Sequence, residues 1–265
     1  MTILLVDLDD TLLDYTGGVD ACWEAACAGP AGPAGMDVEA LVQAIARTRR
    51  WFWSDPERHR RERTDMLQAW RRIVAHALDG LGEPGEDTAA AIARDFAERR
   101  WATMRLFPDA REALERWRAR GVGLALVTNG DASHQWRKVR QYDLARFFDV
   151  IVIEGEFGAG KPDESVYRHA LERLGARPRE AWMVGDNLEW DVAAPQRLGL
   201  RGIWLDRAGQ GLAVDSPVRP DLIIRTLRDL SPFPPGGEEG IPPSSRPPGR
   251  QGGDLSVEAA GPPPS

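Results

Sequence analysis

Short apolar runs, each leading into a polar residue, recur along this chain between stretches of helical periodicity. Ile3-Leu4-Leu5-Val6 runs into Asp7, Leu124 to Val127 into Thr128, and Ala181 to Val184 into Gly185-Asp186. A further run, Val150 to Ile153, stops a few residues before Gly160-Lys161-Pro162. Apolar runs of this length bounded by turn residues predict buried strands, here at 3–6, 123–128, 150–153, 181–185, 202–205 and 222–224. Helical patterns fill the intervals: from Pro108-Asp109 to about 120, then 133–145, 163–174 and 189–198. Strands alternating with helices predict an α/β fold, a parallel sheet with helices on both faces.

Residues 12 to about 105 break that alternation, because they read as helix throughout, over 17–29, 37–54, 56–80 and 86–105. Gly29-Pro30-Ala31-Gly32-Pro33, Asp55-Pro56 and Gly82-Glu83-Pro84-Gly85 punctuate them. This predicts an α-helical cap at 15–105 inserted into a core domain made of 1–14 and 106–230. Only 33 residues separate Thr128 from Lys161 (161 − 128), enough for one helix, one strand and a loop but no second lid. Residues 231–265 carry 10 of the 20 prolines and 7 of the 27 glycines, too few apolar groups to bury, and are expected to be a disordered tail.

Composition narrows the function classes. An apolar fraction of 42% over 265 residues supports a true core. A net charge of −7 argues against nucleic acid or an anionic membrane as the main partner, since either needs a concentrated positive field. The first apolar run meets two aspartates by residue 10, which resembles neither a signal peptide nor a membrane span, so a cytoplasmic location is expected. Cys22 and Cys27, the only cysteines, are expected to be packed thiols in a reducing compartment. The mixed charge run Glu57 to Arg63 is expected to be a solvated helix face, and Trp51 and Trp53 to pack the bundle.

In an open α/β sheet, ligands bind beyond the carboxyl ends of the strands, where the polar residues above collect. Asp7-Leu8-Asp9-Asp10-Thr11, Thr128-Asn129-Gly130-Asp131, Gly160-Lys161-Pro162 and Gly185-Asp186-Asn187 with Asp191 together resemble, in order, the four motifs of the haloacid dehalogenase superfamily of aspartate-dependent phosphatases. The likeness covers residues 1 to about 230 and implies a Rossmann-like core bearing a single helical cap between the first and second motifs.

These residues then divide the labour of phosphoryl transfer. Asp7 is the expected nucleophile, forming an aspartyl-phosphate. Asp9 is the expected general acid and then base, and Thr11 shapes the turn. A carboxylate attacking a phosphate needs a hard cation, so Mg²⁺ is the expected cofactor, held by Asp7, Asp186 and, by resemblance, the Asp9 carbonyl. Asp191 supports that shell or pairs with Lys161. Thr128, Asn129 and the amides after Thr128 are expected to bind phosphoryl oxygens, with Lys161 neutralising charge. Substrate contacts are expected from the cap and from 14–18; Arg49 and Arg50 carry no assignment.

The expected activity is phosphatase action on a small phosphorylated metabolite, by a monomer or homodimer. The alternatives are a phosphomutase, a haloacid dehalogenase and a non-catalytic binding protein on the same fold. Asp9 together with Asp186 argues against the dehalogenase, and the completeness of the motifs argues against the binding protein.

Overall fold

A computed structural model describes residues 2–29, 35–83, 85–231 and 233. Strand β1 (Ile3–Val6) is buried along its whole length. After it the chain forms the two-residue strand β2 (Leu13–Asp14), then helices α1 (Val19–Ala28), α2 (Val38–Ser54), α3 (Pro56–Glu62), α4 (Met66–Gly80) and α5 (Glu86–Thr103). Strand β3 (Arg105–Leu106) pairs antiparallel with β2 and closes the base of this helical insertion.

The remaining chain alternates: α6 (Ala110–Ala119), β4 (Gly123–Thr128), α7 (Ala132–Gln141), β5 (Val150–Ile153), the short α8 (Glu154–Phe157), α9 (Glu164–Leu174), β6 (Ala181–Gly185), a π-helical turn (Leu188–Ala193), α10 (Ala194–Arg197), β7 (Arg201–Leu205) and β8 (Leu222–Ile224). The six longer strands form one sheet in the order β5-β4-β1-β6-β7-β8, with every pairing parallel. The α/β expectation therefore holds, with the six strands at their expected places.

Alternation along β1 explains why both sheet faces are covered. Leu4 and Val6 join Leu124, Leu126, Trp117 and Val184 in one apolar cluster. Ile3 and Leu5 join Ala125, Val127, Met183 and Tyr167 in another, on the opposite face. A parallel strand buried on both sides reads as an unbroken apolar run, which is what the sequence carries at 3–6. Helices α1, α2, α4 and α5 gather around a third cluster of their own, including Trp23, Ile45, Phe52, Trp70, Ile73 and Phe96. Cys22 and Cys27 are free and buried there, and burial pushes the Cys27 thiol up to about 11.

Register decides where chemistry can be placed. Val6 is level with Leu126 on one side and Val184 on the other. The chain leaving β1 lies between those leaving β4 and β6, at the point where strand order reverses and a crevice opens.

Several elements differ from expectation. The helix expected over 56–80 is two, α3 and α4, because Asp65 turns out of the helix to cap α4, its carboxylate accepting from Gln68 N at 3.3 Å. The β2–β3 ribbon and α8 were not anticipated, being too short to leave a period. The helix expected over 189–198 begins as the π turn. Of the expected tail 231–265, all but Ser231 and Phe233 lies outside the described residues. Phe233 is buried, its ring centroid 6.2 Å from that of Trp117 and 6.1 Å from that of Trp182, so packing continues past 230. Among the described residues no helix is long and apolar enough to cross a membrane.

Candidate active site

The loop leaving β1 turns sharply because Asp10 adopts a left-handed backbone, φ 60°. Its carboxylate fixes the turn by accepting from Thr16 N (2.8 Å), Tyr15 N (3.1 Å) and Thr16 Oγ1 (3.0 Å). Asp7 is thereby left at the buried floor of the crevice, where Thr11 Oγ1 donates to its Oδ2 at 3.0 Å. Thr11 thus orients Asp7 directly, beyond the turn-shaping role expected of it.

Lys161 is the other buried anchor, only 1% exposed. Its Nζ donates to Asp7 Oδ1 at 2.7 Å and to Asp191 Oδ1 at 2.6 Å. Asn129 holds it from behind: Oδ1 accepts from Lys161 N at 2.7 Å and Nδ2 donates to Lys161 O at 2.8 Å. Both ends of the Asn129 amide therefore position Lys161, while the second Nδ2 proton stays available on a residue that lines the crevice. Asp191 reaches Lys161 because the π turn packs tightly on Gly185, where a Cβ would lie 2.2 Å from Asp191 Oδ2. Only glycine permits that approach.

Asp9 is gripped by two residues that sequence reasoning missed. Lys138 Nζ donates to its Oδ1 and Oδ2 at 2.8 and 2.7 Å, and Gln135 Nε2 to its Oδ2 at 3.0 Å. Gln135 Nε2 also donates to Thr128 Oγ1 at 2.6 Å, and that hydroxyl in turn donates only weakly, to Asn129 O at 3.4 Å, at the edge of the crevice. Of the amides following Thr128, that of Gly130 is taken, donating to Glu154 Oε2 at 2.8 Å. One member of the expected phosphoryl cradle is therefore otherwise engaged.

Asp7, Asp186 and Asp191 bring carboxylate oxygens within 4.8 Å of one another. Against these three possible negative charges stands Lys161. Burial alone would lower its amine, but Asp191 and Asp7 more than offset that and hold it above its ordinary range. Burial raises Asp7 to about 7, against the pull of Lys161. Confinement in the crevice, with the charges of Asp7 and Asp191, raises Asp186 to about 8. Carboxylates that cannot all ionise together form an all-oxygen donor set with excess negative charge, which suits a hard divalent cation such as Mg²⁺. Asp186 opens to the crevice while the other two are buried.

The insertion closes over this floor and leaves a cavity of about 410 Å³, within the range of small-ligand pockets. Arg63, 7% exposed, crosses from the α3–α4 junction to the core. Its Nε and Nη2 donate to Glu154 Oε1 at 3.0 and 2.7 Å, and Nη2 reaches Lys161 O at 3.2 Å. The solvated face expected for 57–63 is corrected at its end, because Glu62 and Arg63 are both buried. Tyr15 and Thr16 line the cavity, as expected of the loop after the first motif, and so does Arg49.

A family model described as haloacid dehalogenase-like hydrolase matches residues 1–199. The phosphoserine phosphatase of Thermus thermophilus is 34% identical over 249 residues, covering 87% of this chain and 98% of its own. The ribulose-1,5-bisphosphate 5-phosphatase of Halopiger xanaduensis is 30% identical over 238 residues, with the same two coverages, 87% and 98%. Among solved structures, a 2-haloacid dehalogenase from Pseudomonas syringae superposes with a TM-score of 0.59 at 29% identity, covering 87% of this chain and 97% of its own.

Proposed function

This chain belongs to the haloacid dehalogenase-like hydrolases and is a phosphatase, and from that premise we propose that it hydrolyses a small phosphorylated metabolite through a phosphorylated Asp7, with Mg²⁺ as cofactor. The observation that carries this reading is Asp7 itself, buried at the crevice floor, oriented by Thr11 and paired with Lys161.

The Asp7 carboxylate attacks phosphorus and the bond to the leaving oxygen breaks, while Asp9 gives that oxygen a proton. Lys138 and Gln135 hold Asp9 in place for this transfer. Asp9 then takes a proton from the water that attacks phospho-Asp7, which returns Asp7 and releases inorganic phosphate. Lys161 and the Thr128 hydroxyl face the charge that develops on the phosphoryl oxygens. Asp7, Asp186 and the Asp9 carbonyl would hold Mg²⁺, which neutralises charge between nucleophile and phosphate when bound. Residues 15–105 act as the cap that excludes water and selects the leaving group. Two buried free thiols and an acidic chain fit work in the cytoplasm, as monomer or homodimer.

The solved dehalogenase shares the fold, so shape does not separate the two reactions. Residues do: displacing halide from carbon needs neither a proton donor at Asp9 nor a cation at Asp186. The test is phosphate release from phosphoserine, sugar phosphates, nucleoside monophosphates and p-nitrophenyl phosphate, with Mg²⁺ and with EDTA. Metal-dependent release, abolished in Asp7→Asn, is expected. Release that persists in Asp7→Asn would contradict the reading.

A further inference from the structure

The cavity above Asp7 has a lining unlike that expected for a highly polar substrate. Its solvent-reachable wall includes Tyr15, Val19, Trp53, Met66, Trp101 and Trp190, all half-buried and supplied by different elements. The rings are braced: the Arg137 guanidinium lies 4.0 Å from the Trp101 centroid and that of Arg63 5.2 Å from the Trp190 centroid. His59 stands 5.3 Å from Trp53 and 5.5 Å from Trp190, and His134 stands 5.6 Å from Trp101. Burial lowers both imidazoles from their ordinary range, so at neutral pH they extend the aromatic wall without adding charge.

Cations in the wall are already committed. Five line the cavity, and each has partners on the protein. Lys161 holds Asp7 and Asp191, Lys138 holds Asp9, and Arg63 holds Glu154. Arg100 donates to the carbonyls of Tyr15 and Gly17, and Arg49 pairs with Asp20 at 2.7 Å. Beyond the residues that meet the phosphoryl group, each described cation of the lining is already bonded within the protein, Arg49 through a single nitrogen to the exposed Asp20. A charge carried into an aromatic cavity loses hydration without compensation.

We propose that the substrate is a phosphate monoester whose leaving group is uncharged and carries an apolar ring, seated against Trp53, Trp101 and Trp190 with the phosphate at Asp7. This rests on the phosphatase reading and adds the leaving group. A ring in contact with that wall gains apolar burial and stacking that a small polar chain cannot.

The test uses the full-length protein with Mg²⁺ and three unactivated alkyl phosphates of comparable leaving-group acidity: 2-phenylethyl phosphate, glycerol 3-phosphate and O-phosphoserine. The expected kcat/KM for the phenylethyl ester exceeds both others by about tenfold or more. Trp53→Ala and Trp101→Ala shrink that ratio, and Trp53→Phe restores part of it, which a merely structural role would not do. Equal values, or a preference for phosphoserine through an Arg49 released from Asp20, would overturn the proposal and leave the phosphatase standing. Absence of metal-dependent release from these esters and from p-nitrophenyl phosphate would defeat the phosphatase reading and this one with it.

Discussion

The charge balance of a few buried side chains sets the character of this site. Asp7 near 7 and Asp186 near 8 stand well above the 3.8 of a free aspartate. Between those values the folded, metal-free protein holds protons that the unfolded chain releases, so this contribution to stability is most favourable below about pH 4 and is lost as the pH rises toward 8. In EDTA, Asp186→Asn is therefore expected to raise Tm by a few degrees at pH 8 and not at pH 4, as followed by thermal unfolding; cavity solvent screens Asp186 and keeps the change small. Added Mg²⁺ should stabilise the wild type at pH 8 more than the variant. Thr11→Val removes the hydroxyl on Asp7 Oδ2 while keeping the shape. It should lower kcat about tenfold or more in steady-state kinetics with KM little changed, and Thr11→Ser should recover much of the loss. The motif aspartates and Lys161 were legible because each follows an apolar strand at a characteristic place. Gln135 and Lys138 were not, since nothing local distinguishes two polar residues on a helix that meet Asp9 from 126 and 129 positions away.

At the scale of elements, the junctions carry function and are also where sequence periodicity gives least warning. The break between α3 and α4 places Arg63 at the core, and the π turn carries Asp191 over Gly185. A period of 3.6 cannot report either event: the first is decided by the Asp65 cap and the second by close packing on the end of the preceding strand. Arg63→Met strands Glu154 as a buried, uncompensated carboxylate and should cost about 3–5 kcal/mol in denaturant unfolding; adding Glu154→Gln should return most of it. Gly185→Ala drives a Cβ to 2.2 Å from Asp191 Oδ2. It should cost about 1–3 kcal/mol and lower kcat, because Asp191 cannot retreat without releasing Lys161.

Across the whole molecule, the alternation of strands and helices made the crevice readable in advance, because a parallel sheet gathers polar strand ends on one side; the order that sets β1 between β4 and β6 is seen only in the structure. The shape of the cavity was not readable. It depends on which faces of α1, α2, α4 and α5 turn toward the core, and tryptophans that serve bundle packing look the same in sequence as those that wall a substrate site. The proposed route takes phosphate through Asp7, and quenched-flow single turnover with a ³²P-labelled phosphomonoester reports on that step. Acid-quenched protein should carry label on the peptide containing Asp7, transiently, with Mg²⁺ and not with EDTA, and none should form in Asp7→Asn. Inorganic phosphate appearing at full rate with Asp7 never labelled would contradict the account.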